Sequence, residues 1–339
     1  MKRAAFLIAA CAAPATAQPA PPDYGFNFIT IGDVGNDAYE GFDPQNLTSG
    51  RGSVDYEYRM ARTEVTTAQY VEFANAWASA GGNPLTIQPT FWGGVYTGFQ
   101  WEVEPGKEML PLGGVKWREA AYFVNWLHNG KPSGDMQAFL DGAYDASTFG
   151  SVPGMQTYTD QSTHHPDARY WIPTLDESMK ATHYDPNRYG PGAGGWWLFN
   201  DTSDTQPVPG LPGEGETTAG MEISVIDAME IPLESYPGTR TPWGLLDASG
   251  GGGEHTEGWY REATFGRQYR TWRGNPGGDN FGIPGDVIPS VDMVWRGQDS
   301  NPDSSLPYVS LRVASMVPAP GVGAALIGFG VFASTRRRR

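Results

Sequence analysis

Hydrophobic and polar side chains alternate along residues 54–60, a pattern typical of a half-buried β-strand. A helix is predicted to follow, because Thr66 and Gln69 have the spacing of a capping box and apolar residues then recur at helical spacing. The pair Gly81-Gly82 is expected to end this helix. Its apolar face comprises Tyr70, Phe73, Ala74 and Trp77.

Two more helices and a last strand are predicted further along the chain. The second helix covers about residues 117–128 and stops at Gly130. The third begins at another capping box, formed by Thr174 and Glu177. Residues 310–316 have the character of a final strand.

Long stretches between these elements show little periodicity. Residues 82–114, 130–168 and 185–240 are dominated by Gly, Pro and polar residues with scattered aromatics, which predicts loops. Three short helices, few strands and much irregular chain predict an α+β domain with little regular secondary structure.

The N-terminus, residues 1–17, has the three zones of a secretory signal peptide. Two basic residues precede an apolar run, and Ala15-Thr16-Ala17 forms a small-x-small cleavage site. A second interpretation is a lipoprotein signal acylated at Cys11, which is the only cysteine of the chain. Either signal predicts export, and cleavage after Ala17 leaves a body without any thiol.

The C-terminus, residues 317–339, resembles the PEP-CTERM sorting tail of Gram-negative bacteria. Val317-Pro318-Ala319-Pro320 precedes a short apolar run and the four terminal arginines, with alanine where the motif has glutamate. The run is shorter than the roughly 20 residues that a spanning helix needs, which favours a transient membrane anchor. The resemblance implies an exosortase-type processing enzyme as partner and a location at the cell envelope or surface. An ordinary tail anchor is the alternative.

The body between these ends is strongly acidic. Both ends lack acidic residues, so removing their six basic residues leaves 17 Lys and Arg against 38 Asp and Glu. Such a charge repels nucleic acid and anionic lipid, so neither is expected as a partner. The abundant aromatic side chains are sufficient to build a large core without disulfides.

The order of several segments is similar to that of the formylglycine-generating-enzyme, or sulfatase-modifying-factor, family. The resemblance covers about residues 26–316 and implies a variant of the C-type lectin fold. It also implies an oxidase that converts a cysteine of a client sulfatase to formylglycine. The segments are Tyr58 to Thr66, Gln69-Tyr70, Leu110-Pro111, Val115-Lys116-Trp117, Tyr170 to Thr174, Glu177, Ser235-Tyr236-Pro237, Trp243 to Asp247, Arg273-Gly274, Arg296 and Ser310 to Ser315.

The chain departs from this family at the residues that define the reaction. The resemblance implies two cysteines that bind copper(I) and the substrate thiol, and thiolates suit that soft ion. Counting from Gly274 without gaps, the two positions fall on Asp279 and Pro284, and the stretch as far as Arg296 contains no cysteine. We therefore expect no formylglycine generation by that mechanism. Arg273, Asp279 and Arg296 are the candidate residues of the ancestral cleft.

A second departure concerns calcium. The family's Asn-Val-Trp-Glu-Trp segment, whose Asn and Glu help bind Ca²⁺, corresponds here to Gly251 through His255. Glu254 occupies the position of the Glu and is the candidate metal ligand, while Gly251 replaces the Asn. One carboxylate with backbone carbonyls would bind Ca²⁺ weakly, and a solvated or capping carboxylate is the alternative.

Other candidate chemistry is weaker. His164, His165, Asp167 and His183 have no recognised metal-site spacing and are interpreted as loop residues. His255 beside Glu254 could act as a general base, but no nucleophile motif accompanies it. The run Gly250–Gly253 lacks the Lys-Ser/Thr of a phosphate-binding loop. Some aromatics are candidates for stacking on carbohydrate or peptide, with core packing as the alternative. They are Trp92, Tyr96, Trp101, Trp196 and Trp197.

Three functional hypotheses follow. The first is a non-catalytic binding or structural protein of the envelope, with a glycan or protein ligand. The second is an enzyme of different, metal-dependent chemistry in the same cleft. The third is a regulatory relative that binds sulfatases without modifying them.

Overall fold

The computed structural model describes residues 20–44, 46–88, 93–221, 223, 225–262, 264–274 and 298–318. The chain divides into a body, Asp23–Met316, and a second unit formed by the two ends, Met1–Pro22 and Val317–Arg339. The two ends lie almost entirely outside the described residues. The predicted signal peptide and sorting tail therefore stay predictions.

The three predicted helices are confirmed, but two further short helices, Gln137–Leu140 and Val225–Met229, lie in stretches that were predicted to be loops. The Thr66 side chain accepts a hydrogen bond from the Gln69 backbone, and the Gln69 side chain accepts one from the Thr66 backbone, so the first capping box closes as expected. Thr174 and Glu177 form the same reciprocal pair. The helices are α1 Thr67–Ser79, α2 Trp117–His128, α3 Gln137–Leu140, α4 Leu175–His183 and α5 Val225–Met229, with a 3₁₀ turn at Ala146–Thr148.

Twelve short strands occur among the described residues, and most are only two or three residues long. They are β1 Ile29–Ile31, β2 Tyr58–Met60, β3 Gly94–Tyr96, β4 Trp101–Val103, β5 Tyr170–Trp171, β6 Tyr184–Asp185, β7 Gly195–Trp196, β8 Gly253–Arg261, β9 Gln268–Arg273, β10 Gln298–Ser300, β11 Val309–Ser310 and β12 Ala314–Met316.

The strands form two four-stranded sheets and two small hairpins. One sheet has the order β1-β2-β12-β5 and is antiparallel throughout. The other has the order β10-β9-β8-β11, in which only the short β11 runs parallel to its neighbour β8. The hairpins are β3-β4 and β6-β7. Mixed small helices and mainly antiparallel sheets agree with the predicted α+β class.

The predicted final strand over residues 310–316 is divided in two. Its middle bonds to the chain after β2 instead of to a sheet: Leu311 and Val313 accept hydrogen bonds from Val65 and Ala61, each at 2.8 Å. The side chain of Arg312, between them, is buried. The strand predicted over residues 54–60 is likewise confined to β2, because the Val54 backbone bonds to Gly35 and to the Asn36 side chain.

The β8-β9 hairpin was not predicted, although it contains the longest strand described. Its β8 strand carries two glycines and three buried charged or titratable residues, Glu254, His255 and Glu257. These residue types hide the alternation by which a strand is recognised.

Aromatic side chains hold the helical side of the core together. Phe73 of α1 packs edge-on against Phe123 of α2, with the ring centroids 5.2 Å apart, and also contacts Trp126 and Phe139. Trp77 stacks on Tyr122 at 5.4 Å. The predicted apolar face of α1 therefore does face the core.

Within the described residues, no helix is both long and apolar enough to cross a membrane. The apolar run that the sequence marks after residue 320 lies outside them.

Candidate functional site

A buried ion pair lies at the centre of the body. Arg312, between β11 and β12, donates from Nε and Nη2 to Oε1 of Glu254 on β8, at 2.7 and 2.6 Å. Both residues are buried, with 1% and 7% of their surface exposed. Burial disfavours the charged guanidinium, but the neighbouring Glu254 more than compensates and raises the pKa of Arg312.

Backbone carbonyls occupy the remaining donors of this guanidinium. Nη1 donates to the carbonyls of Ala61 and Arg62, at 3.1 and 2.7 Å, and Nη2 donates to Leu246 at 2.9 Å. All five N–H groups of the fork thus have an acceptor. The Arg312 side chain therefore joins β8 to two other segments. One follows β2 and contains Ala61 and Arg62, and the other precedes the glycine run and contains Leu246.

Glu64 is a second fully buried carboxylate beside this pair. Its two oxygens accept from the Gly252 amide, at 2.9 and 3.2 Å. Burial, reinforced by the charge of Glu254, raises the pKa of Glu64 well above its ordinary value. Gly252 thereby supplies a fixed partner for a group that would otherwise be costly to bury.

The glycine run Gly250–Gly253 is required by this packing. A Cβ atom on Gly251 would lie 2.5 Å from Oε1 of Glu64, and one on Gly253 would lie 2.4 Å from the Trp272 ring. Gly251 also has φ +69°, a conformation that favours glycine. Trp272 of β9 fills the space over Gly253. The glycine run therefore allows the backbone to pack closely against neighbouring side chains.

A small cavity of about 10 Å³ lies next to Glu254. Six polar or charged residues contribute to its lining: Ser178, Thr182, His183, Asn200, Glu254 and Arg273. The Nδ1 atom of His183 and Oδ1 of Asn200 are buried and have no hydrogen-bond partner among the described residues. Burial, together with the charge of Arg273, lowers the pKa of His183 well below its ordinary value, so this imidazole is neutral at pH 7. The volume admits about one water molecule and excludes a substrate side chain.

The structure places the predicted site residues as follows. Arg273 ends β9 and is brought beside Glu254 at the small cavity. Asp279 and Arg296 lie outside the described residues, so the convergence of all three cleft candidates stays a prediction.

Calcium at Glu254 also stays a prediction, and the arrangement disfavours it. The carboxylate oxygen Oε1 is shared by two N–H groups of a guanidinium, which would repel a divalent cation. The described part of the chain contains no group of three or more His, Cys, Asp or Glu residues that could hold a metal ion.

The histidines do not form a common site in the structure. His164 bonds to Glu257 through Nδ1 at 2.9 Å and stacks on Trp171. The side chain of its neighbour His165 is 58% exposed. His255 is buried, and burial lowers its pKa to about 4. The interpretation of His164 and His165 as loop residues is confirmed, but it was wrong for His183, which is the buried last residue of α4.

Four of the five candidate stacking aromatics are engaged inside the fold. Trp101 is 2% exposed and packs with Tyr96. Trp196 contacts Tyr39 and Tyr184 edge-on. Trp197 donates to Asp185 and lies under the guanidinium of Arg188. Trp92 lies outside the described residues.

Sequence reasoning missed two buried arginines. Arg312 lies in the Ser-Leu-Arg-Val segment, and nothing in that segment indicates that its side chain is buried. Arg270 lies between the rings of Trp117 and Trp259, 3.4 and 3.8 Å from their centroids. Cationic side chains at alternating strand positions are normally interpreted as the solvent face, so their pattern gave no signal.

The chain is similar to known proteins over most of its length. A family model described as "Sulfatase-modifying factor enzyme 1-like domain" matches residues 32–316. The structure of Treponema denticola variable protein 1 is similar with TM-score 0.51 and 16% identity, covering 86% of this chain and 95% of that one. CarF matches with TM-score 0.45 and 18% identity, covering 87% and 99%. PvdO from Pseudomonas aeruginosa matches with TM-score 0.38 and 13% identity, covering 86% and 91%. No match was found among curated proteins.

The first prediction concerns the buried pair. Arg312→Met or Glu254→Gln leaves one partner without its counter-charge, so each should lower the free energy of unfolding by about 3–5 kcal/mol in urea titrations. Arg51→Met is the matched control, because its pair with Asp176 is 44% and 30% exposed and should cost less than about 1 kcal/mol. Equal effects of the buried and exposed substitutions would contradict the central role of Arg312.

The second prediction concerns Gly253. Gly253→Ala pushes a methyl group into the Trp272 ring and should destabilise the body by about 1–3 kcal/mol. Gly238→Ala is its control, since nothing lies within 4 Å of a Cβ there. Thermal melts of both variants should separate clearly, and indistinguishable melting temperatures would refute the packing argument.

Proposed function

Because the chain belongs to the family of the sulfatase-modifying factor enzyme 1-like domain, we propose that it keeps this fold without the oxidase chemistry. In this proposal it is a non-catalytic binding or structural module. Its outer loops, on a C-type-lectin-like scaffold, present the binding surface to a glycan or protein ligand.

The observation that carries the proposal is the absence of sulfur nucleophiles. Cys11 is the only cysteine of the sequence, and it lies within the predicted signal. The reaction implied by the resemblance needs two thiolates that bind copper(I) and the substrate thiol. Oxygen ligands such as Asp279 are hard donors and do not replace them.

The described part of the centre supports a structural role. Arg312 uses every donor within the fold, Glu64 is bonded to Gly252, and Glu254 is bound to Arg312. The neighbouring cavity of about 10 Å³ is too small for a cysteine side chain of a client. These charged groups hold segments together and are not poised to react.

The proposal predicts that the protein does not modify a client. The purified chain, incubated with copper, oxygen and a Cys-x-Pro-x-Arg peptide, should leave the cysteine intact by mass spectrometry. A peptide with Ser in place of Cys controls for background oxidation. Time-dependent conversion of the cysteine to an aldehyde would overturn the proposal.

We further propose that the chain is exported and sorted to the cell surface, on the basis of residues 1–17 and 317–339. An exosortase-type enzyme would act on the tail, and the apolar run would anchor the chain only until processing.

This proposal predicts two new chain ends in the envelope or extracellular fraction. The N-terminus should be Gln18, and Arg336–Arg339 should be absent from intact-mass spectra. Ala17→Arg is the control variant, because a bulky charged residue blocks the small-x-small site. Recovery of the full 339-residue chain from the cytoplasm would contradict export, and an acylated N-terminal Cys11 would favour the lipoprotein alternative.

A further inference from the structure

His164 meets a single carboxylate oxygen of the β8-β9 hairpin. Its backbone amide donates to Oε1 of Glu257, and its ring atom Nδ1 lies 2.9 Å from the same oxygen. The Tyr144 hydroxyl also donates to that oxygen, at 2.7 Å. The side chain of Glu257 is only 2% exposed. The body therefore fixes a buried carboxylate, and His164 is the titratable partner that a surface loop brings to it.

Stacking fixes the plane of the His164 ring. The ring lies on Trp171 of β5, with the centroids 4.6 Å apart and the planes inclined by 14°. Trp171 is itself held by donation from its Nε1 to Glu177, at 3.0 Å. A carboxylate only accepts hydrogen bonds, so Nδ1 of His164 carries the proton that faces Glu257. The ring therefore gains its second proton, and with it a positive charge, at Nε2 without turning.

The loop that carries this histidine, residues 162–167, lies on the surface. Every residue of the loop is exposed except His164. A further bond to the body joins the His165 amide to the Ala143 carbonyl, at 2.8 Å. The residue after the loop, Ala168, is buried. The contact of His164 can therefore open without disturbing the buried chain that follows.

The charges around the ring favour its protonated form. Burial disfavours a charged imidazole, but the hydrogen bond and the charge of Glu257, together with the charge of Glu177, outweigh it, so the pKa of His164 is raised. Arg270 of β9 directs Nη1 and Nη2 to the backbone carbonyls of Glu257 and Gln161. Other titratable groups nearby are the hydroxyls of Tyr56 and Tyr144, which donate to Glu177 and Glu257, and the side chains of His165 and Asp167 in the loop itself.

We propose that His164 and Glu257 form a pH-sensitive clamp, which holds residues 162–167 against the body firmly when the imidazole is charged and weakly when it is neutral. In the open state the loop has left Glu257 and has uncovered the face of Trp171. Neutral His164 keeps the hydrogen bond through Nδ1 but loses the ion pair, so the open state becomes more populated. The clamp goes beyond the non-catalytic proposal and is independent of it, because it uses none of the cleft candidates.

The clamp has a definite direction with pH. The pKa of His164 in the closed state is raised above the value of a free imidazole, about 6.5. The ion pair therefore stabilises the closed loop fully below that value, and this contribution is lost as the pH rises through the closed-state pKa. The loop should open more often in neutral to alkaline solution than in mildly acidic solution.

The experiment is hydrogen exchange of the residue 164 amide in the full-length chain, followed by NMR at about pH 5.5 and about pH 8.5. Since this amide donates to Glu257, its protection factor, corrected for the intrinsic exchange rate, reports opening of the loop. The ring resonances of His164 in the same samples give its pKa. Protection should fall roughly tenfold between the two pH values for each unit by which that pKa exceeds 6.5.

Two variants separate the charge from the packing. His164→Asn keeps an amide donor near the position of Nδ1 but cannot titrate, so its protection should be nearly the same at both pH values. His165→Asn is the matched control, because that side chain is 58% exposed, and it should keep the wild-type pH dependence.

A third variant keeps the test decisive if His164→Asn fails to fold. Glu257→Gln removes the negative charge and nearly preserves the shape, so the pKa of His164 should fall and the pH dependence of protection should disappear. Three results would overturn the proposal: equal wild-type protection at both pH values, a wild-type His164 pKa at or below about 6.5, or a pH dependence that His164→Asn and Glu257→Gln leave unchanged.

Discussion

The body of this protein depends on a guanidinium that is buried at its centre. Arg312 reaches one carboxylate and three backbone carbonyls that come from three separate parts of the chain. Because an unpaired buried charge is far more costly than a paired one, these segments must assemble together or not at all. Short strands of two or three residues could not by themselves hold such a loop-rich chain in register.

The glycine run follows from the same constraint. Glu64 lies close enough to Glu254 for their charges to interact, and the amide of Gly252 satisfies it. No side chain fits between that carboxylate and Gly251, or between Gly253 and Trp272. Glycine residues lose more conformational entropy on folding than other residues do. The close packing that these glycines allow at the centre offsets that loss.

The sequence was informative where local physical chemistry decides the structure. Capping boxes at Thr66 and Thr174 and the aromatic face of α1 were predictable, because each depends on residues within a few positions. The β8-β9 hairpin and the inward orientation of Arg270 and Arg312 were not. Their charged and glycine-rich patterns resemble those of exposed chain, and only partners distant in sequence make burial favourable. At the candidate site, Arg273 and Glu254 were found from the resemblance, whereas Arg312, His183 and Asn200 were not.

These findings suggest how the scaffold has been adapted. The domain has a rigid charged centre in which Arg312 is bound to Glu254 and Glu64 is bound to Gly252. Binding at loops around a fixed centre fits a chain with so little regular structure, since function concentrates on loops that a rigid scaffold positions.

The most direct test of this account is the free energy of unfolding of the wild-type chain, measured by urea titration with saturating calcium and with a chelator. A ligand that binds only the folded state raises that free energy, so the measurement reports whether a metal contributes to the centre. If the Arg312 guanidinium supplies the positive charge there, the two values should agree within error. A clear stabilisation by calcium that Glu254→Gln abolishes would contradict the account and assign the centre to the metal.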